Sequence, residues 1–117
     1  MKARTFIILG ILLLATPAVG RAADRMLFWN LTGTTIAKLY LAPSGTTNWG
    51  ANQCANDPDG KVDTDERLKL TGVTAGRYDV KFTDAGGRTC TVKNVELQAG
   101  KAYAFSLSES DLTACSK

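Results

Sequence analysis

The chain carries two kinds of apolar stretch. Near its start, Phe6 to Ala15 (FIILGILLLA) is an unbroken apolar run of ten residues. Beyond Arg25 the apolar residues come instead in short runs, largely at a period of two, parted by turns rich in glycine, proline, serine and aspartate. A period of two predicts strands, because successive side chains of a strand point to opposite faces.

Met26 to Leu31 (MLFWNL) predicts the first strand, with Trp29 in the core, and Thr32-Gly33-Thr34 a turn. Thr35 to Leu41 predicts the second, with Ile36 and Tyr40 on one face and Ala37, Leu39 and Leu41 on the other. Apolar residues on both faces predict a strand covered on both sides, or an edge strand capped by a loop. Pro43-Ser44-Gly45 ends it, and residues 43–66 form a long polar connection. A connection of that length in a small domain is usually functional or disordered. Leu68 and Leu70 resume the strand pattern. Tyr78, Val80 and Phe82 point inward from the cleanest alternation, with Asp79, Lys81 and Thr83 outward. Asp84-Ala85-Gly86-Gly87 supplies a hairpin turn. The returning strand, Arg88 to Leu97, slips phase between Val92 and Val95, which predicts a bulge near Asn94. Tyr103, Phe105 and Leu107 line the last strand, and Ser108 to Leu112 predicts one helical turn capped by Ser108 or Ser110. About six strands without an amphipathic helix predict a small antiparallel β-sandwich.

The early run has other neighbours. Lys2 and Arg4 precede it, and Pro17, Ala18, Gly20 and Ala22 follow. Cationic, apolar and small-residue segments in that order predict a signal peptide over 1–22, cleaved after Ala22 or, alternatively, after Gly20. Ten apolar residues fall short of the roughly 20 that span a bilayer, so no stable membrane insertion is expected after cleavage. The product, 23–117, is expected to be a single domain in the periplasm or outside the cell. Removing Lys2, Arg4 and Arg21 from the chain's net +3 leaves 11 basic against 11 acidic residues. A balanced chain without a basic stripe does not fit nucleic acid.

Histidine is absent. No imidazole base is available to a serine or cysteine nucleophile, and no imidazole to zinc or haem. Five carboxylates between Asp57 and Glu66 invite comparison with a glycosidase pair, yet they sit on one loop of a domain too small for a deep cleft. The expectation is a protein that is not an enzyme.

The acidic stretch has a second reading. Aligned on an EF-hand loop with Gly60 at position 6, Asp57 and Asp59 take positions 3 and 5, the Lys61 carbonyl position 7, Asp63 position 9 and Glu66 position 12. Hard cations want several oxygens, and a glycine permits the turn that gathers them. Ala55 stands where the first acid belongs, Pro58 stiffens position 4, and no helices flank the loop. Calcium would be held only at roughly 0.1–1 mM. The plainer reading is a solvated acidic turn.

Three cysteines in an exported chain predict one bridge and one spare thiol. Cys90–Cys115 is favoured, because a hairpin turning at Ala99-Gly100 brings Cys90 near the C-terminal end. Cys54–Cys115 and Cys54–Cys90 are the alternatives. Trp49, inside the long connection, is a candidate partner contact or a cap on the sandwich. Asn30-Leu31-Thr32 is formally a glycosylation sequon.

Two resemblances add to this. Residues Leu70 to Gly87 (LTGVTAGRYDVKFTDAGG) resemble the G-x-x-x-G-x-Y-x-V hairpin of prealbumin-like and immunoglobulin-like extracellular sandwich modules, which implies a fold. Asn30-Leu31-Thr32-Gly33, Ile36, Leu39-Tyr40, Pro43-Ser44-Gly45 and Trp49-Gly50 resemble the opening of small exported proteobacterial proteins without an assigned activity. That resemblance implies a compartment and no chemistry. The expected function is an exported binding or structural module of the bacterial envelope, with 43–66 as its interaction surface and an unidentified envelope or extracellular partner. The alternatives are a calcium-stabilised module and an inhibitor of an envelope or external hydrolase.

Overall fold

The computed structural model describes residues 25–116, without the side chains of residues 114 and 116. The expected export segment, 1–22, lies outside the described residues. Strand β1 (Leu27–Leu31) buries Phe28 and Asn30 and turns Leu27, Trp29 and Leu31 outward. It pairs antiparallel with β3 (Arg67–Lys69) and parallel with β6 (Phe105–Ser108). Strands β2 (Ile36–Pro43), β4 (Gly76–Asp84), β5 (Thr89–Leu97) and the two-residue β7 (Cys115–Ser116) form the second sheet in that spatial order, antiparallel throughout.

The inner faces share one core. Phe28, Leu68, Phe105 and Leu107 come from the three-stranded sheet, and Ile36, Leu39, Leu41, Val80, Phe82 and Cys90 from the four-stranded one. Complete burial of a Phe or Leu side chain is worth about 1.5–3 kcal/mol. The chain is thus an all-β sandwich, as its pattern predicts. The parallel β1–β6 pair is the one departure from antiparallel order among the described strands.

Two strands are irregular, each for a local reason. Between Ile36 and Lys38 the β2 register shifts by one residue. Ile36 and Leu39, expected on opposite faces, therefore both point inward, and Tyr40 points out. In β5 the register shifts opposite Tyr78 and Val80, leaving Lys93 and Asn94 facing Asp79 alone. Asn94 takes the left-handed conformation, φ 60°. This is the bulge that the phase slip predicts.

Trp29 is not in the core. Alternation fixes parity in β1, and Phe28 and Asn30 hold the inward positions, so Trp29 stands half-buried on the outer face. The Arg67 guanidinium lies 4.0 Å from its ring centroid, Tyr103 packs edge-on, and its indole N–H donates to Asp65 at 3.0 Å.

Asn30 takes the inward position because every polar valence of its amide is met. Nδ2 donates to the carbonyls of Thr34 and Val62, and Oδ1 accepts from the Thr32 N–H and hydroxyl. The sequon Asn is thus a buried knot joining the β1–β2 turn to the segment at Val62.

Cys90 and Cys115 form a disulfide, the favoured pairing, and Cys54 is a buried free thiol. The bridge closes a separation of 25 residues. On chain-entropy grounds it stabilises the fold by about 3.5 kcal/mol. A structural disulfide fits an oxidising compartment. After β6, the Asp111 carboxylate accepts the Ser108 backbone N–H at 2.8 Å, closing the expected helical turn, here a 3-10 turn over Glu109–Ala114. Among the described residues no helix is long and apolar enough to cross a membrane.

Candidate functional site

The 43–66 connection is folded onto the free edge of β2. It leaves the strand through a turn at Pro43, where the Thr46 N–H donates to the Pro43 carbonyl and Gly45 takes φ 81°. It then runs back along the edge. Gly50 N–H donates to the Leu41 carbonyl at 2.9 Å, and Asn52 Oδ1 accepts the Leu39 N–H at 3.0 Å. Further on, Val62 exchanges both backbone hydrogen bonds with Ile36. An uncovered edge strand is a template for pairing with another chain, and this connection closes it.

The fixed points are mostly side chains answering backbone. Asn52 Oδ1 also accepts the Cys54 N–H, capping a 3-10 turn over Gln53–Asn56. Buried Gln53 pairs in both directions with Thr71, donating to its carbonyl at 2.9 Å and accepting its N–H at 3.0 Å. Asn56 Nδ2 donates to the Lys69 carbonyl at 2.8 Å. Cys54 is buried beneath this turn with its thiol 3.6 Å from the Ile36 carbonyl. Burial, helped by the nearby Asp57 charge, pushes that thiol up to about 11. A thiol so held stays protonated and is a poor nucleophile.

The expected calcium ligands serve separate local roles. Asp57 Oδ1 accepts the Asp59 N–H, Asp63 Oδ1 accepts the Thr35 hydroxyl, and Glu66 Oε1 accepts the Asp63 N–H. Gly60 makes the expected sharp turn, φ 73°, and Lys61 is exposed. Among the described residues no three His, Cys, Asp or Glu side chains converge on a point that would hold a metal ion.

Two carboxylates that the sequence pattern places outward and in a hairpin turn, Asp79 and Asp84, are buried. Asp79, 3 % exposed, faces out from β4 but is covered by the Ser44–Gly45 turn and the Asn94 bulge. The Asn94 backbone N–H holds its carboxyl below the ordinary value against the opposing pull of burial, with help from the Gly45 N–H, Lys93 and Ser44. Asp84 closes the β4–β5 hairpin by accepting the N–H groups of Gly86 and Arg88 and the Arg88 guanidinium. Burial pushes this carboxyl up, and those Arg88 and Gly86 donors outweigh it, so its pKa lies below the ordinary value. Both stay ionised at neutral pH. A general acid needs the opposite shift.

Two surfaces remain on the connection. Trp49, half-buried, lies over the outer face of the four-stranded sheet, where Lys81 Nζ sits 4.6 Å from its ring centroid and 5.4 Å from that of Tyr40. Tyr40 and Lys81 are direct cross-strand partners, so β2 and β4 position the stack. On the other side, Asn48, residues 50–53, residues 55–56 and the 71–73 turn line a partly open recess of about 420 Å³ with Leu41 and Tyr78 in its walls.

Fold and site together define a small disulfide-bridged β-sandwich whose longest connection is built into one sheet edge. In comparisons with known proteins, no family model, curated protein or solved structure matches the chain.

Proposed function

We propose that the domain is an exported, non-enzymatic binding module of the bacterial envelope, acting in the periplasm or outside the cell. Its contact surface is the 43–66 connection. The observation that carries this is the order of that connection: Asn52, Gln53, Asn56 and Val62 fix it with a single 3-10 turn and one isolated bridge, without α-helix or regular sheet pairing. A preordered surface loses little conformational entropy on binding. It presents a half-buried tryptophan on one side and a recess on the other. The buried carboxylates are saturated with donors, and the chain has no histidine, which supports binding over catalysis.

Affinity capture from an envelope fraction tests this. The wild-type domain should retain a discrete partner that Trp49→Ala releases, while Lys101→Ala, in the exposed turn between β5 and β6, leaves capture intact. Capture indifferent to Trp49 and to the 48–56 residues would remove the connection as the contact surface.

A further inference from the structure

We infer that the recess beside the 43–66 connection binds a neutral saccharide, a ligand class that deepens, and rests on, the assignment of this connection as the contact surface. None of its thirteen lining residues carries a charge at neutral pH, in a chain where 21 % of residues are Asp, Glu, Lys or Arg. A charged ligand entering it would lose water without gaining a counter-charge, a cost that disfavours anions, cations and zwitterions alike.

The lining instead offers uncommitted amide groups. Among the described residues no partner engages the Asn48 carboxamide, Asn52 Nδ2 or Asn56 Oδ1, although Asn52 Oδ1 and Asn56 Nδ2 are fully used in holding the loop. The atoms left over therefore include both donors and acceptors on carboxamides whose other ends are fixed. The Tyr78 hydroxyl accepts the Thr74 N–H and keeps its own proton to donate. Beside these groups lie Leu41, Val73 and the Tyr78 ring. A sugar ring matches this mixture. Its hydroxyls each donate and accept, and its C–H faces pack on apolar and aromatic walls.

An extended peptide matches it less well. Strand addition needs a run of free backbone groups, and here Gly50 and Asn52 already occupy the β2 edge. A discrete, partly open recess of about 420 Å³ suits a compact ligand.

The test is a two-dimensional NMR titration of the whole mature protein with glucose, galactose and N-acetylglucosamine, and with the charged relatives glucosamine and glucuronate. At least one neutral sugar should shift the Asn48 and Asn52 side-chain amide signals and the Gly72 backbone signal saturably at millimolar concentration. The charged relatives should bind about tenfold more weakly. Asn48→Ala removes an uncommitted amide, and Ala55→Glu puts a charge on the rim. Each should weaken the neutral sugar about tenfold, the worth of a well-made hydrogen bond, while the remaining spectrum reports an intact fold. No saturable shift with any neutral sugar overturns the inference. So does equal binding of glucuronate, indifference to both substitutions, or preference for a blocked uncharged tetrapeptide. Partner capture that still depends on Trp49 when no sugar binds would overturn the saccharide while leaving the proposed contact surface in place.

Discussion

The Asn94 backbone N–H donates to Asp79 Oδ1 at 2.9 Å, so a buried carboxylate on β4 holds the bulge of β5 in place. The same carboxylate accepts the Gly45 N–H at 3.1 Å and the Ser44 hydroxyl at 3.3 Å. One side chain thereby ties the bulge to the first turn of the candidate site.

This makes acid stability specific. The pKa values of Asp79 and Asp84 are lowered in the fold, Asp79 chiefly by the Asn94 N–H and Asp84 by the Arg88 and Gly86 donors that overcome its burial. A lowered folded-state pKa contributes stability above the unfolded value, about 3.9, and loses it as pH falls through the folded value. Thermal melts should therefore be flat from pH 7 to about pH 5 and fall below about pH 4. Asp79→Asn should lower the melting temperature at pH 7 and shrink the acid-side fall. A variant with the wild-type pH dependence would show that Asp79 does not carry this linkage.

Asn30 is predicted to be a stability residue. Its amide meets four partners in full burial, and Asn30→Ala leaves the Thr32 N–H without its acceptor and takes one of two donors from each of the Thr34 and Val62 carbonyls, which keep the Thr32 hydroxyl and the Ile36 N–H. One stranded buried N–H costs about 1–3 kcal/mol, and the net loss should fall in that range. Denaturant unfolding should show a lower midpoint at unchanged slope. Asn30→Asp should be no better, because it removes both amide donors and buries a charge.

The thiols should report the covalent frame. Native protein should resist thiol reagents at pH 8, since Cys54 is buried with its pKa pushed to about 11. Unfolding without reductant should expose one thiol, Cys54, and unfolding with reductant three. Reduction should cost about 3.5 kcal/mol of stability. Two or more thiols reacting before reduction would contradict the Cys90–Cys115 bridge.

The acidic turn makes a sharp test of calcium. Asp57, Asp63 and Glu66 already accept hydrogen bonds from the protein, and Ala55 stands at the missing ligand position. The melting temperature should not move with millimolar calcium. A site of ~0.5 mM affinity would instead add roughly 1.8 kcal/mol at about 10 mM calcium, a shift of roughly 7–14 °C. A shift of that size, abolished by Asp59→Ala with Glu66→Ala, would establish the calcium-stabilised alternative.

Where the sequence was readable, a local period carried the information. Tyr78, Val80 and Phe82 point inward as their alternation requires, and the Asn94 bulge follows from a one-residue slip. Cys90–Cys115 forms without the expected hairpin at Ala99-Gly100, because β6 crosses to pair with β1 and β7 returns beside β5. Trp29 was not readable, because hydrophobicity does not set parity when Asn30 can be fully satisfied inside. Nor was Asp79, whose cover comes from residues 34 and 15 positions away. The candidate site lies at the same limit. Gln53 meets Thr71 and Asn52 meets Leu39 through side chain and backbone, and such pairs leave no period to find.

Val62 tests the edge cover. It is fully buried and makes an isolated antiparallel bridge with Ile36, the two residues exchanging backbone bonds of 2.9 Å. Val62→Ala keeps both bonds and trims the side chain, which should cost about 1–2 kcal/mol and leave a monomer. Val62→Pro removes the N–H that meets the Ile36 carbonyl and loosens the connection from β2. The exposed edge of β2 should then pair between chains. Sedimentation should show Val62→Pro associating with rising concentration under conditions where Val62→Ala does not. Val62→Pro protein that folds and stays monomeric would mean that residues 50–52 suffice to guard the edge. Oligomers in both variants would trace the association to lost stability instead of the uncovered strand.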